Sequence, residues 1–176
     1  MIRILLAIVS AAVSVALFLR FNWLLPCVVA ALLVGALILT WPRRERITAR
    51  DDVNVLLRRY GRRPTDFERY VAEVYRRRGY RVHVTQRTGD CGRDIEMKRG
   101  GKLYVVEVKL YSPGLHVGRE KIQKLQGAMI DAEAHGAIFV TTSSFTRTAI
   151  DYAQRNGIEL VDGEALDAMI QEVIGG

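Results

Sequence analysis

Apolar positions divide the chain into two regions with different periods. From Ile4 to Leu19, and again from Trp23 to Trp41, there is no charged residue, and only Arg20-Phe21-Asn22 separates the two runs. Beyond Arg43 the apolar residues become periodic. A short amphipathic helix is predicted from about Asp52 to Tyr60, broken by Gly61 to Pro64. The next helix runs from Thr65 to about Arg78, with Phe67, Tyr70, Val71, Val74 and Tyr75 on one face, and Gly79 stops it. Three strands follow. Tyr80 to Gln86 alternates, with Val82 and Val84 on one side and His83 on the other; Arg93 to Lys98 carries Ile95 and Met97; Leu103 to Leu110 begins apolar on both faces, as a central strand does. Gly118 to Ala134 then reads as a helix with Ile122, Leu125, Met129 and Ile130 inward, and Ala137 to Thr141 as a buried strand. Phe145 to Arg155 reads as a helix capped by Ser143 or Ser144, Ile158 to Val161 as a strand, and the remainder as a helix capped by Asp162.

The order helix, three-strand meander, helix, strand, helix, strand, helix implies an α/β domain, a mixed sheet with helices on both faces. Two transmembrane helices are expected before it. A bilayer core of roughly 30 Å needs about 20 residues. The second run meets that, with Trp23 and Trp41 at interfacial positions and Pro26 in the first turn; Arg3 and Arg20 can snorkel to lengthen the first. Two arrangements fit: a helical hairpin, which is the expectation, or a cleaved signal peptide ending near Ser14-Val15-Ala16 followed by one span. Arg43, Arg44 and Arg46 follow the second run, so either arrangement places the remainder in the cytoplasm of a cell with a bacterial-type inner membrane. The expected division is a membrane anchor at 1–42 (bilayer contact through 4–41), a juxtamembrane linker with a short helix at 43–63, and a soluble domain at 64–176.

Charge sharpens this picture. The 176 residues carry a net charge of +7, unevenly spread: 14 basic against 6 acidic residues from Arg43 to Thr88, then 10 basic against 13 acidic. A basic field of this kind attracts a polyanion, although a juxtamembrane cluster facing anionic lipid has the same composition. The two cysteines, Cys27 and Cys91, lie in a membrane run and a loop, and neither has partners at zinc-ligand spacing. No Ser-His-Asp or Cys-His arrangement and no phosphate-binding G-K-[ST] loop emerges.

Candidate chemistry comes from the hairpin RDIEMKRGGKLYVVEVK. With Gly100 and Gly101 at a two-residue turn, Arg99 pairs with Lys102, Ile95 with Val106 and Asp94 with Glu107. Opposed residues share a face, and Lys109 shares it with Glu107 by alternation. Asp94, Glu107 and Lys109 therefore converge. Opposed carboxylates repel, and three arrangements relieve that: a shared proton, an ion pair with Lys109, or a divalent metal of the Mg²⁺ type that takes few protein oxygens. Glu68, three residues after Thr65, fits a capping box with Thr65 as N-cap.

The stretch TGDCGRDIEMKRGGKLYVVEVKLY, with FERYVAEVYRRRGYRVHVT before it and AIFVTTSSFTRTAIDYAQRNGIELVDGEAL after it, resembles the Mrr-type restriction endonuclease domain of the PD-(D/E)xK nuclease superfamily. The resemblance covers about Pro64 to Ile174. It implies a restriction-endonuclease-like fold and Mg²⁺-dependent hydrolysis of DNA, with Mn²⁺ as an alternative ion. By that likeness Asp94 and Glu107 are the metal-binding acids, Lys109 the catalytic lysine and Glu68 the acid of the first core helix; a homodimer is implied as well. Two departures stand out: Glu107-Val108-Lys109 where many Mrr-type domains have Q-x-K, and Arg93 where the superfamily signature has proline. The expected function is that of a membrane-anchored DNA endonuclease, the alternative a membrane-tethered DNA-binding or scaffold module without turnover.

Overall fold

Gly100 and Gly101 adopt φ of 58° and 79°, a backbone that residues with a Cβ rarely take, and the chain reverses in two residues. The reversal joins β2 (Ile95–Arg99) to β3 (Lys102–Lys109), and the expected register holds, with Arg99 opposite Lys102 and Ile95 opposite Val106. This computed structural model describes residues 24–40, 44–85 and 92–175. The chain divides into two compact units, Met1–Arg43 and Arg44–Gly176.

In the first unit the described helix is α1 (Leu24–Thr40), of 17 residues. Among the described residues no helix is long and apolar enough to cross a membrane. The expected pair of spans is therefore not shown by the structure, and the first apolar run lies outside the described residues.

The second unit is built around a five-stranded sheet. Besides β2 and β3 it contains β1 (Arg81–Val84), β5 (Gly136–Thr141) and β7 (Ile158–Val161), in the order β1-β2-β3-β5-β7. The first two pairings are antiparallel and the last two parallel, so the sheet changes sense at β3. A separate short parallel ribbon joins β4 (His116–Val117) to β6 (Ser144–Phe145).

Helices cover both faces, as the element order implies. α2 (Val53–Tyr60), α3 (Pro64–Arg77) and α6 (Gly163–Gly175) enclose one core, in which Leu56, Phe67, Tyr70 and Ile170 meet Ile95, Val106, Val108 and Val140. α4 (Arg119–Asp131) and α5 (Arg147–Arg155) enclose the other, where Ile122, Leu125 and Ala149 meet Val105 and Phe139. β3 thus contributes Val106 and Val108 to one side and Val105 to the other. Alternation puts Glu107 on the side of Val105, at a position that an aliphatic residue would otherwise fill.

Several local expectations are corrected. α3 starts at Pro64, with Arg63 as an N-cap that makes no side-chain bond, so Thr65 and Glu68 do not form a capping box. Proline sits at the first helical position, where its missing N–H costs nothing. α5 is capped by Thr146, whose hydroxyl accepts from Ala149 N–H, because Ser144 and Phe145 are taken up by the ribbon to β4. Ile130 points to solvent, 65 % exposed, since α4 meets the sheet through Ile122 and Leu125. The cap by Asp162 is as expected, its carboxylate accepting from Ala165 N–H at 2.9 Å.

Residues 44–60 pack into the core of the second unit, through Ile47, Leu56 and Tyr60. Asp51, 1 % exposed, fastens them. Its carboxylate accepts from Thr48 N–H and hydroxyl at 3.0 and 2.9 Å, from Arg59 at 2.7 Å and from the Tyr70 hydroxyl at 3.0 Å. Burial alone would raise the Asp51 pKa; the donors from Arg59, Thr48 and Tyr70 outweigh it and hold the group below its ordinary value. Replacing Asp51 with alanine strands Arg59 and Tyr70 and is expected to cost about 3 kcal/mol of unfolding free energy at neutral pH, read by urea denaturation. The stabilisation is present above the unfolded-state value of about 3.9 and lost as pH falls through the lower folded-state value, so parent and variant converge in acid. Equal stability at neutral pH would show that the four donors contribute nothing.

Candidate active site

The ladder between β2 and β3 ends at Ile95 and Val106. One residue earlier, Asp94 N–H donates to the Val106 carbonyl at 2.8 Å rather than to Glu107. Its side chain takes over the pairing: Asp94 Oδ2 accepts from Val108 N–H at 2.8 Å. The backbone is held from the other side too, where Thr85 N–H donates to the Asp94 carbonyl at 2.9 Å and the Thr85 hydroxyl donates to the carbonyls of Arg93 and Asp94. Asp94 is consequently fixed at the start of β2, beside the last residues of β3.

There the expected residues meet. Lys109 Nζ lies 2.5 Å from Glu107 Oε1 and 3.4 Å from Asp94 Oδ2, and donates to the Val108 carbonyl at 3.2 Å. A cleft of about 480 Å³ opens over them, lined among others by Glu68, Asp94, Glu107, Lys109, Tyr111 and Lys124. Glu68 is buried in its wall, brought there by α3. Tyr111 is clamped at the rim, its N–H donating to the Thr142 hydroxyl and its carbonyl accepting from it, both at 2.8 Å. That bond links the end of β3 to the residue following its parallel neighbour β5.

The electrostatics are those of a charge set into a packed sheet. Glu107 is 7 % exposed. Burial and the nearby Asp94 carboxylate push its pKa up, while Lys109 and Lys124 pull it back only in part. Burial would depress Lys109; the hydrogen bond to Glu107 and the charges of both acids outweigh that and raise it. Glu107 Oε2 remains buried with no hydrogen-bond partner among the described residues. An unpartnered anionic oxygen in such a place is costly unless something positive takes it. Oxygen donors of this kind fit a hard divalent cation. Among the described residues no three His, Cys, Asp or Glu side chains converge as a cage, so any such ion would draw the rest of its shell from water or substrate.

Sequence reasoning brought Asp94, Glu107 and Lys109 together and missed Lys124 and Gly92. Their contact joins residues far apart in the chain and leaves no periodic trace. Gln123, the neighbour of Lys124, is exposed and outside the lining of the cleft. Asp90 and Cys91 lie outside the described residues.

Mixed sheets with this arrangement recur in solved nucleases. The chain superposes on the MspJI restriction endonuclease in complex with a 27-mer oligonucleotide with a TM-score of 0.54 at 21 % identity, covering 69 % of this chain and 31 % of that one. It superposes on the DNA modification-dependent restriction endonuclease AspBHI with a TM-score of 0.56 at 20 % identity, covering 77 % and 40 %. These likenesses define a restriction-endonuclease-like fold. Residues 61–170 match the family model of the Mrr catalytic region, described as restriction endonuclease. The chain belongs to that family. It is similar to the type IV methyl-directed restriction enzyme EcoKMrr of Escherichia coli strain K12, 39 % identical over 123 residues that make up 64 % of this chain and 40 % of that protein. It is also similar to the uncharacterized protein y4cE of Sinorhizobium fredii strain NBRC 101917 / NGR234, 32 % identical over 88 residues, 48 % of this chain and 22 % of the other. The chain spans less than half the length of either curated relative.

Titration of the Glu107 carboxyl by NMR in metal-free protein is expected to give a midpoint above the ordinary glutamate value of about 4.3. Lys109→Met removes a charge that lowers it and is expected to move the midpoint higher still. A midpoint at the ordinary value in both proteins contradicts a desolvated site.

Proposed function

We propose that the chain is a metal-dependent DNA endonuclease tethered to a membrane, with its chemistry carried by Asp94, Glu107 and Lys109. The observation that carries this reading is Glu107 Oε2, a buried carboxylate oxygen without a partner among the described residues, beside a second carboxylate and a lysine. Asp94 and Glu107 would hold Mg²⁺, or Mn²⁺ in its place. Such an ion, when bound, acidifies a water and steadies the charge that develops on a phosphate. The residues of the chain supply the rest. Val108 N–H fixes the Asp94 carboxylate, so its second oxygen keeps one orientation. Lys109 is a protonated donor at neutral pH, placed to orient an attacking water or to hold a non-bridging phosphate oxygen. Glu68 lines the same cleft, a further carboxyl group beside those of Asp94 and Glu107. DNA as substrate is supported by the family, by the restriction activity of the Escherichia coli relative and by the basic excess between Arg43 and Thr88. Cleavage of both strands by a homodimer is part of the same reading.

A non-catalytic module is the second reading. It is favoured by the ion pair between Lys109 and Glu107, which balances one acid without a metal. The two readings part in a plasmid assay with the full chain. The nuclease reading expects nicking or linearisation with Mg²⁺, none with EDTA, and at least about a hundredfold loss for Lys109→Ala or Asp94→Asn. Activity is expected to rise with pH through the raised pKa of Glu107, because only its ionised form binds a cation. EDTA-insensitive cleavage, or equal cleavage by Lys109→Ala, would reject the assignment.

The tether rests on sequence: two uncharged runs at 4–41, then Arg43, Arg44 and Arg46, which set the nuclease unit in the cytoplasm. The full chain expressed in a bacterium is expected to stay in the membrane pellet through alkaline carbonate washing. Release into the wash would rule out an integral anchor.

A further inference from the structure

Two lysines line the cleft, Lys109 and Lys124. Lys109 is committed: Glu107, Asp94 and the Val108 carbonyl all lie within reach of its ammonium. Arg93, adjoining the cleft residues Gly92 and Asp94, is committed as well, to Glu96 at 2.9 Å. Lys124 is different. It is exposed on the second turn of α4, and among the described residues no acceptor or carboxylate engages it directly. Its charge nonetheless reaches Glu107 through space.

The path of its side chain is shaped by Gly92. This residue is buried and has φ of 92°. A Cβ there would stand 2.7 Å from Lys124 Cε, 3.2 Å from Cδ and 3.3 Å from Cγ. The methylene stem therefore lies in the space that any larger residue at 92 would need. A lysine stem laid along buried backbone gives up part of its rotamer freedom on folding, so less remains to be given up when its head takes a ligand. The head is a compact point charge of the kind that binds phosphate oxygens.

Resting on the nuclease reading above, we infer that Lys124 is a substrate-positioning cation, holding a backbone phosphate of DNA in the cleft beside Asp94 and Glu107. It faces the negative wall of the site without being bound up in it. A phosphodiester entering the cleft meets two carboxylates with Lys109 between them; among the described residues of the lining, Lys124 is the cation whose head no carboxylate engages directly.

The test is binding of a fluorescent 20-base-pair duplex to the full chain, by anisotropy, with Ca²⁺ in place of Mg²⁺ so that binding is read apart from cleavage. Salt is varied from 50 to 200 mM. Lys124→Gln is expected to weaken affinity about tenfold, the effect of removing one charge-assisted hydrogen bond. It is also expected to flatten the slope of log affinity against log salt by about 0.9, the signature of one fewer phosphate neutralised. Lys124→Arg retains most of the affinity. Lys98→Gln, an exposed lysine at the hairpin end of β2, removes the same net charge and stays within about twofold of the parent. Affinity and slope unchanged in Lys124→Gln, or an equal weakening in Lys98→Gln, overturns the assignment of Lys124 while leaving the nuclease reading intact. A parent chain that cleaves plasmid with Mg²⁺ but binds no duplex through this cleft overturns it too; one that neither binds nor cleaves overturns the nuclease reading and this inference together.

Discussion

An ionisable side chain in the interior of a central strand organises this protein. β3 is covered by helices on both faces, and Glu107 occupies a position where its neighbours are valines. Placing a carboxylate there costs several kcal/mol unless it is paired or protonated. Lys109, two residues along the same strand and on the same face, offsets part of the cost, and Asp94 across the hairpin adds to it. One Glu107 oxygen stays unsatisfied among the described residues. A fold selected for stability alone would place an aliphatic residue at this point. The strain is local and sits where the cleft opens, the pattern of a functional-site candidate.

The scaffold explains why this strain does not disperse. The site lies at the carboxyl end of β3, where the sheet changes from antiparallel to parallel pairing. The carboxyl ends of strands are where open α/β sheets leave crevices for ligands. Three ties hold the surroundings: Thr85 on the backbone of Asp94, Val108 N–H on its side chain, and Thr142 on Tyr111. Elsewhere in the same unit Asp51 gathers donors from three segments and draws residues 44–60 into the core. Asp94, Lys109 and Tyr111 are thus fixed by hydrogen bonds to regular structure, whereas Lys124 reaches in from an exposed helix face.

The family match and the geometry support one another without being the same observation. The match rests on residues along the chain, whereas the meeting of two acids and a lysine is a property of the hairpin register. The relatives are longer proteins, and the residues that match the family model, 61–170, carry the cleft.

Local rules made much of this legible. Two glycines that tolerate positive φ set the turn, the turn set the register, and the period-two alternation of strands put Glu107 and Lys109 on one face. Helix faces followed the same way from the spacing of Phe67, Tyr70, Val71 and Val74. Where competing local rules met, tertiary structure chose: Pro64 over Thr65 as the start of α3, Thr146 over the two serines as a cap, solvent over core for Ile130. The four-donor arrangement at Asp51, the departure of Asp94 from the ladder and the seat of Lys124 on Gly92 had no sequence signal at all. Turns, alternation and helical faces depend on residues a few positions apart, so the chain alone determined them. Whether a buried oxygen finds a donor, or a lysine stem finds an empty surface, depends on segments that meet only after the sheet has closed, and that was decided by the tertiary structure.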